Sequence, residues 1–236
     1  MKTHHCQVMG IVNVTPDSFS DGGMYFRPDE AVRRALNQAD EGAEIVDLGG
    51  ESTRPGATPL GWEQEWSRLE PVLTRLAGRL PCRVSVDTYH PETAKRALEA
   101  GANMINCVCA ESAGAMLELC RAANADLVLP AACEGLGSPG SGTLYLDPMI
   151  GFGTTRDEDL ALLRSLGELA RRAPVLVGAS RKRIVKKLTG ERLTGKNLGG
   201  SLGVAVWCAL AGARIVRVHD VRETVQALKV LETLQS

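Results

Sequence analysis

GAEIVDLGGESTRPG, residues 42–56, sets a helix stop, a strand and a loop side by side. Gly42-Ala43 ends the helical pattern over 29–38. Ile45, Val46 and Leu48 follow as an apolar run without polar alternation, and the pair Gly49-Gly50 opens a loop. The same Gly-Ala punctuation recurs at Gly101-Ala102 and Gly212-Ala213, each leading straight into a strand pattern. Working outward, strands are expected at Val8–Val14, Glu44–Leu48, Arg83–Asp87, Met104–Val108, Leu127–Pro130, Thr143–Leu146, Val175–Val177 and Arg214–Val218. Their Val, Ile and Leu content suits strands covered on both faces of a parallel sheet.

Helical patterns lie between them, at Asp29–Gln38, Trp62–Leu76, Pro91–Ala100, Ala113–Ala122 and Asp157–Arg171. A further one near Arg181–Leu188 continues to Ser201–Ala211, and the last is Glu223–Leu234. Eight strands alternating with helices predict an α/β fold, a (β/α)8 TIM barrel of eight parallel strands in a single domain over 1–236. A doubly wound open sheet is the alternative, though it more often uses fewer strands. One crossover is expected to lack its helix: AACEGLGSPGSG (Ala131–Gly142) is dense in Gly, Pro and Ser and reads as a loop. Without that helix, the outer faces of strands five and six should need cover from a shifted helix or another subunit.

Composition excludes several classes. Lys and Arg number 27 against 28 Asp and Glu, so no basic excess points to nucleic acid or anionic membrane. The longest uncharged stretch, Asn197–Ala213, is too short and glycine-rich to span a bilayer, and residues 1–7 carry no apolar signal core. Seven cysteines cannot all pair within one chain, and their apolar neighbours suit reduced thiols in a cytoplasm. Cys107, Cys109 and Cys133 match no familiar zinc spacing. Alternation puts Cys107 and Cys109 on one side, as part of the interior packing layer.

Barrel chemistry sits at the carboxyl ends of the strands. Those ends carry Asn13, then Asp47 and Glu51, Asp87, Asn106, Asp147, Lys182, and Arg217 with His219. One polar residue at a strand end is often only a helix cap, but seven of eight ends so equipped call for more. Acceptors (Asp87, Asp147) with amides (Asn13, Asn106) suit a flat heterocycle with a donor-rich edge. Arg217, His219 and Asn13 suit a phosphate group. The two long glycine-containing loops after the first and second strands fit lids over a barrel mouth.

Six blocks carry a resemblance to a known family: NVTPDSFSDGG (Asn13–Gly23), DLGGESTRPG (Asp47–Gly56), SVDT (Ser85–Thr88), DPMIGFG (Asp147–Gly153), VGASRK (Val177–Lys182) and RVHDV (Arg217–Val221). Their order and content resemble the dihydropteroate synthases, pterin-binding enzymes of folate biosynthesis. The resemblance implies a cytoplasmic, homodimeric transferase that joins 6-hydroxymethyl-7,8-dihydropterin pyrophosphate to p-aminobenzoate, with Mg²⁺. It implies a pterin site of Asp87, Asn106, Asp147 and Lys182, and a pyrophosphate site of Asn13, Arg217 and His219 with the Mg²⁺ near Asn13. It further implies that Phe19, Thr53, Arg54 and Pro55 assemble the p-aminobenzoate site. Asp17 would favour the cationic pterin methylene, and Lys182, Arg217 and His219 would act with it in catalysis.

Four departures from the family stand out. Asn106-Cys107-Val108 replaces Asn-Asp-Val, Leu129–Cys133 replaces a Met-His-Met-like block, the following helix is missing, and Arg183 stands where a small hydroxyl residue is usual. Arg183 is expected either to reach into the mouth, where it would read the acid of p-aminobenzoate, or to point to solvent. The departures also keep open a pterin-binding paralogue with lost or changed activity, and more remotely a pterin-dependent methyltransferase.

Overall fold

Strand-forming runs and helices alternate in the expected order in the computed structural model, which describes residues 5–15, 28–51, 58–191, 193 and 196–236. The order is β1 (Gln7–Asn13), α1 (Pro28–Asp40), β2 (Ile45–Gly49), α2 (Trp62–Leu76), β3 (Arg83–Asp87), α3 (Pro91–Glu99), β4 (Met104–Asn106), α4 (Ala113–Ala123) and β5 (Asp126–Pro130). There follow β6 (Leu144–Asp147), α5 (Arg156–Arg172), β7 (Leu176–Val177), α6 (Arg183–Thr189), α7 (Leu198–Leu210), β8 (Ile215–Val218) and α8 (Val221–Gln235). All named strand pairs are parallel, in the order β6-β5-β4-β3-β2-β1-β8-β7. A parallel bridge between Leu146 and Val175 joins the two outer strands, so the sheet closes on itself as a (β/α)8 barrel. An open doubly wound sheet would leave those edges apart. Gly42, Gly101 and Gly212 all adopt positive φ (100°, 96° and 97°), the left-handed helix stop that their Gly-Ala punctuation predicts.

Alternation along the strands places the site. Met9, Ile45, Met104, Val128, Tyr145, Leu176 and Ile215 form an apolar cluster of their own inside the barrel. Two positions further along β2, β4, β6 and β8, and so on the same face, stand Asp47, Asn106, Asp147 and Arg217. An apolar plug thus floors a polar layer at the carboxyl end. The intervening residues, such as Val46, Leu48, Ile105 and Val216, face outward into the helix layer.

Between β5 and β6 the chain makes only a 3₁₀ turn, Ala131–Cys133, and then a loop, as the Gly-Pro-Ser composition predicts. The expected bare outer face is absent. Leu127, Leu129 and Leu146 are fully buried within one chain, so no second subunit is required to cover them. Within the loop Cys133 and Pro139 are buried, and polar bonds tie the loop to the flanking helices. Arg121 Nη2 donates to the Ser138 carbonyl (3.4 Å), Ser141 Oγ donates to Asn124 Oδ1 (2.8 Å), and Arg172 pairs with Glu134 (3.1 Å).

Two further expectations change. β4 stops at Asn106 rather than Val108, so Cys107 packs with the outer helix-facing cluster instead of the barrel interior, and Cys109 lies in the loop beyond. The segment expected as one continuing helix after β7 is two, α6 and α7. All seven cysteines are free thiols. Among the described residues, no helix is long and apolar enough to cross a membrane.

Candidate active site

The polar layer is organised by one guanidinium and one fully buried carboxylate. Arg217, near the end of β8, donates from Nε to Asp47 Oδ2 (2.6 Å) and from Nη2 to Asp87 Oδ2 (2.7 Å). Asn106 Nδ2 donates to the same Asp47 oxygen at 3.2 Å. Because a carboxylate only accepts, this contact fixes the Asn106 amide with its nitrogen toward Asp47. Its Oδ1 is then left buried and unpartnered, as is Asp47 Oδ1. Buried acceptors without donors are costly, and two in one layer mark a place where a donor-bearing ligand would be welcome.

Asp147 closes the opposite side. Its Oδ1 accepts from the backbone N–H of Met149 (2.7 Å), a residue held at φ 63°, which turns the DPMIGFG segment over the barrel rim. Lys182, just before α6, donates from Nζ to the Ile150 carbonyl (2.5 Å) and stands 4.2 Å over the Phe152 ring. That segment therefore fixes the Asp147 carboxylate and the Lys182 ammonium together.

Burial dominates the ionisation of these groups. It pushes the carboxyl of Asp87 up, against the pull of Arg217, and Asp47 and Glu65 add to the push. Asp147 is likewise raised by burial and held down by Lys182. Lys182 is lowered by burial and supported by Asp147. The paired geometry makes Asp87 and Asp147 acceptors and Lys182 a donor, each with its partner already aligned.

The residues expected on the phosphate side come from the neighbouring strands β1 and β8. Asn13 ends β1 in register with Gly49. His219 lies beyond β8, where its backbone N–H donates to Ser180 Oγ (3.3 Å), its Nδ1 lies 3.2 Å from the same oxygen, and its carbonyl accepts from Arg34 (2.8 Å). Arg217 is drawn into the carboxylate set, leaving Nη1 without a hydrogen-bond partner among the described residues. Arg183, the first residue of α6, is exposed. Asp17, Phe19, Thr53, Arg54 and Pro55 lie outside the described residues. Among the described residues, no three His, Cys, Asp or Glu side chains converge as a metal centre.

Three residues matter more than their sequence signal suggests. Asp47 reads in the sequence as one strand-end carboxylate among several, with no sign of its pairing to Arg217 and Asn106. Glu65 shares the buried face of α2 with Leu69 and Val72, and its Oε2 accepts from Thr88 Oγ1 at 2.6 Å, directly behind Asp87. Arg181, at φ 59°, pairs through Nε and Nη2 with Asp220 and so ties the β7–α6 and β8–α8 connections together.

The family described as pterin binding enzyme matches residues 9–139 and 131–219. Dihydropteroate synthase of Escherichia coli (strain K12) is 38% identical, over 98% of this chain and 93% of that one. Xanthomonas albilineans dihydropteroate synthase, solved with 4-aminobenzoic acid, superposes with a TM-score of 0.89 at 38% identity, covering 98% of this chain and 93% of that chain. The same enzyme solved with 7,8-dihydropteroate gives 0.86 at 36% identity, covering 100% and 96%. The chain belongs to the dihydropteroate synthase family of pterin-binding enzymes.

Proposed function

We propose that this chain condenses 6-hydroxymethyl-7,8-dihydropterin pyrophosphate with p-aminobenzoate to give 7,8-dihydropteroate and pyrophosphate. The observation that carries the reading is the pair of unpartnered buried acceptors, Asn106 Oδ1 and Asp47 Oδ1, beside the Asp87 and Asp147 carboxylates. A pterin presents an amino group and ring N–H donors along one edge, which is what such a layer lacks. In this reading Asp87, Asn106 and Asp147 take that edge, and Lys182 donates to the carbonyl side.

Departure of pyrophosphate breaks the methylene C–O bond and leaves a cationic pterin methylene; the neutral arylamine nitrogen forms the C–N bond to it and then gives up one N–H proton to the released pyrophosphate or to water. Arg217 Nη1, His219 and Asn13 would take up the negative charge leaving with the pyrophosphate. Asp17 would favour the developing cation, while Phe19, Thr53, Arg54 and Pro55 would orient the arylamine and exclude water. Exposed Arg183 would then meet the acid from the rim.

Asn13 supplies one amide oxygen, and no acidic or thiolate cluster stands beside it among the described residues. This donor set fits a Mg²⁺ that arrives on the pyrophosphate oxygens and keeps most of its waters, rather than a resident ion. When bound, the ion would neutralise charge on the leaving group.

The same reading takes 1–236 as one domain. It places the protein in the cytoplasm, which seven free thiols support. It makes the protein a homodimer, with Trp207 and Leu210 on α7 exposed as apolar surface for a second copy.

Asp147→Ala tests the pterin assignment. Losing a charged acceptor costs about 2–3 kcal/mol, so calorimetric affinity for the pterin pyrophosphate should fall about 30- to 150-fold. Unchanged affinity would refute the assignment.

A further inference from the structure

Behind the DPMIGFG turn stands a buried carboxylate, Asp159, in the first turn of α5. Capping does not account for it, because that helix start is already capped. Thr155 Oγ1 accepts from the Glu158 N–H (3.3 Å), and Glu158 Oε2 accepts from the Thr155 N–H (2.6 Å). Asp157 and Glu158 are exposed and suit the positive end of the helix, whereas Asp159 is only 4% exposed. A carboxylate is costly to bury unless its oxygens are bonded.

Its bonds lead to the pocket. Asp159 Oδ1 accepts from the Gly151 N–H (2.7 Å) and from Thr154 Oγ1 (2.5 Å), and Thr154 Oγ1 shares the same N–H at 3.0 Å. The Gly151 N–H belongs to the same peptide as the Ile150 carbonyl, which accepts from Lys182 Nζ at 2.5 Å. That peptide is trans and planar, so its N–H and C=O point to opposite sides. Asp159 and Lys182 thus hold one rigid unit between them. An ionised acceptor on the N–H also polarises the carbonyl and strengthens the bond from the ammonium. Gly151, at φ 77°, lets the chain pass close to the lysine: a Cβ there would stand 3.0 Å from Lys182 Cδ. Burial pushes the Lys182 amine down, and Asp159 joins Asp147 and Asp87 in supporting its charge against Arg217.

We infer that Asp159 is a positioning residue for Lys182: by fixing the 150–151 peptide from behind, it sets where the ammonium stands in the pocket. The inference rests on the reading above in which Lys182 donates to the pterin. Without the carboxylate the peptide is free to tilt, its carbonyl leaves the lysine, and the long side chain regains the rotamers that the bond had excluded. Asp159 then acts on the ligand only through Lys182, a signature that a general stabilising role lacks.

The test is a double-mutant cycle on the full chain, read as the calorimetric Kd for the pterin pyrophosphate. Asp159→Ala should raise Kd about tenfold, the loss of one charge-assisted hydrogen bond. Asp159→Asn keeps an acceptor toward Gly151, but a neutral one roughly half as strong, so a rise of about threefold is expected. In a Lys182→Ala background each substitution should change Kd by less than about twofold, because its route to the ligand is gone. Should Asp159→Ala not fold, as circular dichroism would show, Asp159→Asn decides through the same cycle. Equal losses with and without Lys182, or wild-type affinity in every folded Asp159 variant, would overturn the inference and leave the pterin reading standing. Wild-type affinity in Lys182→Ala alone would overturn the pterin role of Lys182, and the inference with it.

Discussion

Asp47 shows how a residue can be visible in a sequence and still have its role concealed. The run IVDLGG displays a carboxylate in an apolar strand, but only closure of the barrel reveals that Arg217 and Asn106 both bond to it. Asp87, Asn106 and Asp147 were legible as candidates because each ends a strand, and Lys182 because it lies in the connection after β7. Pairings such as Arg217 with Asp47, 170 residues apart, depend on register and stagger, which no local pattern carries. Asp47→Asn removes the charge that holds Arg217 Nε while leaving the packing volume. Breaking a buried ion pair from one side costs about 3–5 kcal/mol when nothing else compensates. Because Asp87 still pairs with Arg217, the denaturant-derived loss should fall toward about 2 kcal/mol, with weakened pterin binding alongside. Wild-type stability and wild-type pterin affinity in that variant would show that Asp47 does not organise the layer.

At the scale of elements, Gly, Pro and Ser density was enough to foretell the missing helix between β5 and β6. It was not enough to foretell how the loop is tied down, because that depends on Arg121 in α4, Asn124 just after it and Arg172 at the end of α5. Gly142 shows how closely the loop is laid down. A Cβ there would sit 2.1 Å from the Ala125 carbonyl oxygen and 2.7 Å from its carbon, both backbone atoms that cannot yield cheaply. At Gly137 nothing lies within 4 Å, and the cost of a side chain is only that of its φ of +84°. Gly142→Ala should therefore cost about 3 kcal/mol or more, and Gly137→Ala about 1 kcal/mol. Thermal and denaturant unfolding compare the two directly; equal losses would mean that the loop does not pack against the start of β5 as described. The boundary at β4 was misread for a related reason. Cys107-Val108 looks like strand by composition, yet β5 pairs with β4 only through Asn106 before the chain turns away toward Ser112.

For the whole molecule, alternating strands and helices made the barrel readable from the sequence, and the six sequence blocks made the family readable. Closure then does what neither could show: it places an apolar floor of Met9, Ile45, Met104 and Ile215 under a layer of carboxylates, amide and guanidinium. That layer has two orphaned acceptors awaiting donors, which is the structural core of the synthase reading. The most direct test mixes the intact protein with Mg²⁺ and the pterin pyrophosphate and follows pyrophosphate release before and after p-aminobenzoate is added. Release that begins with the arylamine and matches dihydropteroate formed one for one is the predicted result; tight pterin binding with no arylamine-dependent release would contradict it.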